Sequence, residues 1–219
     1  MARVLGIVPA RAGSKRLPGK NRMDIGGTPL WLHAVNHGLE AGCDWVTVST
    51  DDKMIQGCDR WLHGAVGMHF RGEELAQDGT PVEAVVKAVL GTQAGSWDAV
   101  CLLNPTHPMR EVADIRACIE DVTERGFPSS TLCWKDYGYT LPEGAALGSM
   151  NAQDRVPRIV VSGECYVVRV PAFIEFGKLM IYGNVNRGHS RISSGPKVDV
   201  DTHEDYLCAK ALWEARNKP

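Results

Sequence analysis

Arg11, Lys15, Arg16, Lys20 and Arg22 put five cations into twelve residues, with Gly13 and Gly19 between them. Glycines let backbone N–H groups approach phosphate oxygens, and Arg and Lys neutralise their charge, so this stretch has the composition of a polyphosphate cradle. The plainer alternative is a solvated basic loop. It is not a P-loop: five residues rather than four separate the glycines, and Asn21 follows Lys20 where Ser or Thr is needed. The dinucleotide fingerprint G-x-G-x-x-G is absent as well. His33 and His37 stand four apart, as zinc ligands on one helix face do, but the glutamate of H-E-x-x-H is missing and no further ligand follows nearby. The seven cysteines form no C-x-x-C pair. Their odd number predicts reduced, mostly buried thiols rather than a disulfide framework or a zinc site.

A cradle of this kind needs a strand before it and a sheet beneath it. Val4 to Val8 is a short apolar run ending at Pro9, which reads as a buried strand, and the basic loop from Ala10 to Gly27 follows directly. Helical segments are expected from Pro29 to about Ala41, Lys53 to His63, Pro81 to Leu90, Val112 to Arg125 and His203 to Arg216. The face of the last should be Leu207, Cys208, Ala211 and Leu212. Strands are expected at Trp45 to Thr50, Val66 to Phe70, Ala99 to Leu103, Ser129 to Trp134, Glu164 to Val170 and Lys197 to Val200. Strand and helix alternate four times. This predicts a single α/β domain over residues 1–219, a three-layer α/β/α sandwich on a mostly parallel, nucleotide-binding sheet. An irregular excursion at about 134–157 would serve a dimer. In such sheets ligands bind beyond the carboxyl ends of the strands, which singles out the loops after Val8, Thr50, Leu103 and Val200.

Composition narrows the function. Apolar residues are 44% and charged residues 23%, and 24 Lys and Arg against 26 Asp and Glu give a net charge of −2. A general nucleic-acid binder would carry a basic excess, so none is expected as a partner. No apolar run reaches the length of a membrane span, and the first residues turn basic too soon for a signal peptide. The expectation is a cytoplasmic protein.

The segment V-P-A-R-A-G-S-K-R-L-P-G-K-N, residues 8–21, closely resembles the signature of the acylneuraminate cytidylyltransferases, and R-L-P-G-K is shared with the Kdo cytidylyltransferases. The likeness continues in order through I-G-G-T-P-L (25–30), V-S-T-D-D (48–52), R-G-E-E-L-A-Q-D (71–78), N-P-T-H-P-M-R (104–110) and V-D-V-D-T-H-E-D (198–205). The resemblance implies a nucleotide-diphospho-sugar transferase-like fold. It also implies transfer of CMP from CTP to an acidic sugar with release of pyrophosphate. Arg11 and Lys20 would be catalytic, holding the triphosphate. The backbone from Ala10 through Gly13 to Ser14, with the Ser14 and Asn21 side chains, would hold phosphate and ribose, and Arg71 the cytosine. Asn104 and Tyr166 would lie on the sugar side. Asp199 and Asp201 match two aspartates that hold Mg²⁺. Alternate residues of a strand share a face, so these two carboxylates converge, and hard Mg²⁺ takes such oxygens with phosphate and water. Capping of the last helix is the structural alternative for Asp201. Asp51 and Asp52 fit an acceptor or ribose contact and a helix cap equally. Asp78 fits a base pocket or a lead into the next helix.

The departures lie at the acceptor end. Asn104 and His107 replace the family's Gln and Ser. Ser162-Gly163-Glu164-Cys165-Tyr166 stands for Asn-Gly-Ala-Ile-Tyr. Of an expected Arg-Gln pair only Gln153 and Arg155 come near. The partners implied are CTP, a small acidic acceptor and a second copy of the chain. Alternatives are another acceptor (Kdo, another nonulosonic acid, a small phosphonate), another nucleotide with a sugar phosphate, and a catalytically silent nucleotide-binding module.

Overall fold

In a strand, successive side chains leave on opposite faces, so a fully apolar strand must be covered twice. The computed structural model describes residues 1–58, 62, 64–138, 157–181 and 187–218, and its first strand obeys this rule. Val4 and Val8 enter one core with Trp31, Val35, Ile115 and Cys118, while Leu5 and Ile7 enter another with Val85, Val86, Val89 and Phe173. The same alternation divides Cys101 and Leu103 from Val100 and Leu102. Helices on both faces of one sheet follow from this pattern.

In chain order the elements are β1 (Val4–Pro9), a 3₁₀ turn (Lys20–Arg22), the short pair β2 (Asp24–Ile25) and β3 (Thr28–Pro29), α1 (Leu30–Ala41), β4 (Trp45–Thr50), α2 (Lys53–Gln56), β5 (Val66–Phe70), α3 (Glu73–Ala76), α4 (Val82–Thr92), β6 (Ala99–Leu102), α5 (Val112–Thr123), β7 (Ser129–Asp136), β8 (Arg158–Arg169), α6 (Val170–Phe176), β9 (His189–Ile192) and α7 (His203–Arg216). The main sheet has the order β5-β4-β1-β6-β8-β7-β9. Pairing is parallel from β5 through β6, antiparallel on both sides of β8, and parallel again between β7 and β9. The sheet is therefore mostly parallel and sandwiched, as the alternation requires. Among the described residues no helix is long and apolar enough to cross a membrane.

Several local expectations are corrected. The helix begun at Lys53 ends at Gln56, where Gly57, a poor helix former, donates its N–H to the Lys53 carbonyl. β7 runs on to Asp136 and β8 begins at Arg158, because the two extend together as an antiparallel pair with a bulge between Thr131 and Cys133. β8 stops one residue earlier than expected, since Pro171 suits the first turn of α6, a helix the sequence reading omitted. Lys197 to Val200 is not a strand. It makes a single lateral backbone bond, from Val200 N to Thr106 O at 2.8 Å, and β9 takes the sheet edge instead. The expected face of α7 is also wrong. Leu207, Cys208, Ala211 and Leu212 are exposed, and the helix packs through Tyr206, Ala209 and Trp213 onto Ile25, Leu30 and Val200. Spacings of three and four bury one stripe, and the aromatic pair rather than the leucines won it. All seven thiols are free; five are buried, Cys58 is half-buried and Cys208 exposed. Within the expected excursion, residues 139–156, including Gln153 and Arg155, lie outside those described.

Edge strand β9 is held by charge. Asp121 on α5 has its side chain 1% exposed and accepts from Arg191 Nε at 2.5 Å and Nη2 at 2.6 Å, from Arg125 at 2.6 Å and from Ser130 at 2.8 Å. Burial opposes its charge, but the hydrogen bonds from Arg191, Ser130 and Arg125 prevail and bring the carboxyl down to about 2. A carboxyl depressed in the folded state stabilises above its unfolded value, near 3.9, and that contribution fades as pH falls from about 4 toward 2. Asp121→Asn should cost roughly 3 kcal/mol in urea unfolding at pH 7 and flatten the acid limb of the stability curve. An unchanged midpoint would show that Arg191 does not depend on this carboxylate.

Candidate active site

The parallel strands β4, β1 and β6 end on one edge of the sheet, and the basic loop opens there. Its backbone is fastened to that edge. Ala10 donates to Ser49 O at 2.9 Å and its carbonyl accepts from Thr50 Oγ1 at 2.6 Å. Ala12 donates to Asp51 Oδ1 at 2.9 Å, and the Asn21 amide reaches back to Arg11 O at 2.9 Å. Asp52 caps α2 through Met54 N and also takes Arg22 at 2.9 Å. Both aspartates after β4 thus act as anchors of loop and helix.

Beyond these anchors lies a cleft of about 500 Å³. Of the expected residues, Arg11, Ser14, Lys20, Asn21, Asn104 and Asp201 line it, joined by Lys15, Arg16, Asp78 and Thr106. Two carboxylates hold four cations apart. Asp78 accepts from Arg11 at 2.7 Å and from Lys15, and Asp201 accepts from Arg16 and Lys20, each at 2.7 Å. Hydrogen bonds from Lys15 and Arg11 hold the Asp78 carboxyl below the usual range. The Lys20 side chain is only 12% exposed, so its interaction with Asp201, or with whatever takes that carboxylate's place, is little screened by water. The helix-capping alternative for Asp201 fails: Thr202 caps α7, in a capping box with Asp205.

Asp199 adjoins the cleft without lining it. Val198 and Val200 are buried at 7% and 0%, so the aspartates turn outward, and the alternation expected of a strand survives without one. Burial pushes the Asp199 carboxyl up, a hydrogen bond from Thr106 draws it back, and the neighbouring Asp201 pushes it up again. His107, 2% exposed, stands beside it. Its Nε2 is 2.9 Å from Ser162 O, which only accepts, so the proton sits on Nε2. Burial, Arg110 and Lys20 drive its pKa well below the ordinary value, so the ring is neutral. Nδ1 therefore carries a lone pair, 3.2 Å from Thr106 Oγ1 and 3.4 Å from Asp199.

Asn104 donates to Gly163 O at 2.8 Å, while its own carbonyl accepts from buried Arg110, whose pKa burial lowers to about 10. Glu164, 1% exposed, accepts from Ser193 at 3.1 Å and is raised by burial.

Besides Asp199, four expected residues stand apart from the cleft wall. Arg71 is 8% exposed and bound to Ser49 through Nε at 3.3 Å and Nη2 at 3.0 Å, its pKa lowered by burial. Tyr166 packs against the core of Leu5 and Ile7. Ala10 is fully buried and its N–H is already used. Gly13 has an ordinary φ, and a Cβ there would meet nothing within 4 Å. Thr106 was not recognised in the sequence as a cleft residue, and Asp78 and Asp201, expected at a base pocket and a metal site, were not recognised as partners of the loop's cations. The charge surplus of the loop was the signal that partners must exist. His33 is no ligand: it is buried and bonded to Ile25 O at 2.8 Å, with its ring edge-on to Trp213. Among the described residues no cluster of three His, Cys, Asp or Glu could hold a metal.

Residues 5–143 match the family model described as cytidylyltransferase. A pseudaminic acid cytidylyltransferase of Campylobacter jejuni (strain 81-176) is 35% identical, with the alignment covering 98% of this chain and 97% of that one. The CMP-N,N'-diacetyllegionaminic acid synthase of Legionella pneumophila is 39% identical over 122 residues, 54% of this chain and 52% of that protein. This chain thus spans about half the length of that relative, and 47% of a second Campylobacter pseudaminic acid cytidylyltransferase at 37% identity. Among solved structures, CMP:2-keto-3-deoxy-manno-octonic acid synthetase complexed with CTP superposes with a TM-score of 0.70 at 20% identity, covering 98% of this chain and 100% of that one. At that identity the likeness concerns the fold.

Space at Gly13 that the fold does not need yields a test. Gly13→Ala should leave stability within about 0.5 kcal/mol in urea unfolding, yet weaken nucleoside triphosphate binding in calorimetry. Unchanged binding would remove Gly13 from the cradle.

Proposed function

The chain belongs to the cytidylyltransferase family, and on that premise we propose that it transfers CMP from CTP to an acidic sugar of the nonulosonic class, releasing pyrophosphate. The observation that carries this reading is the cleft itself: four cations at the carboxyl edge of a parallel sheet, kept in place by Asp78 and Asp201 until a polyanion replaces those carboxylates. A triphosphate matches that charge, whereas a neutral ligand would leave the ion pairs closed.

Arg11 and Lys20 turn from their carboxylates to the phosphates and stabilise the charge that builds on the α-phosphorus and the leaving pyrophosphate. Ser14 and Asn21 flank the phosphates and ribose, with the backbone from Ala10 to Gly13 beneath. Arg71, fixed by Ser49, is the residue for the cytosine, and Asn104 and Tyr166 belong to the acceptor side. The acceptor hydroxyl oxygen forms the new bond to the α-phosphorus and gives up its proton as the bond to pyrophosphate breaks, without a covalent enzyme intermediate.

The donor set suits Mg²⁺. Asp199 and Asp201 offer hard carboxylate oxygens on the outward side of one segment, and two such ligands with phosphate oxygens and water make a usual magnesium shell. When bound, the ion would neutralise charge on the phosphates. The chain's own part is to hold the two carboxylates: Thr106 donates to Asp199, and Arg16 stays on Asp201 when Lys20 turns to the phosphates. A single nucleotidyltransferase domain over residues 1–219, a cytoplasmic setting consistent with seven free thiols, and a homodimer complete the reading. Exposed Ile159 and Val160 at the start of β8 give the dimer an apolar surface beside the excursion.

Pyrophosphate release should appear with CTP and one acid from a panel of nonulosonic acids, Kdo, sugar 1-phosphates and small phosphonates. GTP, UTP and ATP should give little. Turnover with GTP and a sugar phosphate would overturn the proposal, and CTP binding without turnover on any acid would favour a silent module. Lys20→Ala should reduce kcat/KM by more than about tenfold, or roughly 1.4 kcal/mol. Asp201→Asn should raise the Mg²⁺ concentration needed for half-maximal rate, and an unaltered dependence would remove it from the metal shell.

A further inference from the structure

The cations of the cleft are all matched to carboxylates at its nucleotide end. The acceptor is itself an acid, and its negative charge must sit near the α-phosphate without a partner there unless the chain provides one. The segment carrying the two aspartates also carries a lysine. With Val198 and Val200 turned inward, Lys197, Asp199 and Asp201 share the outward side. Asp201 meets Lys20 at one end, Asp199 stands by Thr106 and His107 in the middle, and Lys197 lies two residues further on, its Cα at most roughly 7 Å from that of Asp199.

A second line of contacts leads to the same place. Lys197 Nζ stands 5.6 Å from the centre of the Trp134 ring, Trp134 lies 5.9 Å from the His107 ring, and His107 Nδ1 is 3.4 Å from Asp199. The Trp134 indole N–H is buried and has no hydrogen-bond partner among the described residues. An ammonium and an unused indole donor thus share one aromatic ring, which the His107 ring links to the metal-side carboxylate. Asp136, the carboxylate that feels Lys197, is already bonded to Arg158 at 2.8 Å. We propose that Lys197, steadied on the face of Trp134, grips the carboxylate of the acceptor, with the Trp134 indole N–H as a second donor. The proposal rests on the acid-acceptor reading given above and assigns that acid's charge to a residue. It accounts for recognition of an acid in a chain whose Gln at the start of the 104–110 loop is replaced by the shorter Asn104. The ring shields one side of the ammonium from water, which strengthens its pull on an anion.

Lys197 is exposed, so its variants should fold as the parent does. Lys197→Met keeps the stem and removes the charge. It should raise KM for the acid acceptor by about tenfold or more, the value of a charge-assisted bond, with KM and calorimetric Kd for CTP unchanged. Lys197→Arg should recover most of the loss, and Trp134→Phe, which keeps the ring but not the N–H, should raise the acceptor KM by a few fold. An acceptor KM unchanged in Lys197→Met, or CTP affinity falling in parallel, would overturn the proposal while leaving the cytidylyl transfer intact. Failure of the parent protein to turn over any acid would remove both together.

Discussion

Like charges crowded into one loop repel each other, and five cations between Arg11 and Arg22 would spread that loop into solvent unless carboxylates from elsewhere drew it in. Asp78, which precedes α4, and Asp201, which precedes α7, do so from far along the chain, 67 residues from Arg11 and 185 from Arg16. The rest of the site depends on this balance. It holds the loop in place without ligand, and under the proposed function it leaves the positive charge exchangeable, because a carboxylate can be displaced by a phosphate where a buried hydrophobic contact could not.

The balance could not form without the sheet. Parallel pairing of β1 with β4 and β6 brings the ends of three strands to one edge, and Ser49, Thr50 and Asp51 there tie down the first turn of the loop. On the other side, the 104–110 loop is sewn to β8 through Asn104 to Gly163 and His107 to Ser162. The bulge between Thr131 and Cys133 accommodates that junction. Of the places where this chain departs from the sequence pattern it otherwise resembles, Asn104, His107 and Glu164 lie at this seam. The loop side of the cleft, proposed for the nucleotide, is thus the part most constrained by charge, and the departures gather on the side proposed for the acceptor.

Much of this was legible before folding was considered. Apolar or β-branched runs marked β1, β4 and β6, and spacings of three and four marked α4 and α5, because those elements are buried deeply enough for the pattern to be clean, while half-buried β5 was read from a short run and α1 from Pro29 at its start. The reading weakened after Pro128. β8 begins with exposed Ile159 and Val160, β9 is a four-residue edge strand held by the Arg191 fork on Asp121, and α7 packs through an aromatic pair that polarity alone does not rank above leucine. Such elements are selected by neighbours that are distant in sequence.

The sequence by itself determined the fold class, the position of the cradle after the first strand, and the cation and carboxylate residues that furnish the cleft. Side-chain type, glycine placement and local periodicity suffice for those. Tertiary structure alone decided which carboxylate meets which cation, that Asp51 and Asp52 serve as anchors, that Arg71 and Tyr166 stand back from the cleft wall, and that Lys197 lies beside Trp134. Each of those pairings spans a long stretch of chain. Its energy depends on distances of a few ångströms, which residue types and spacing leave open and the packed sheet fixes.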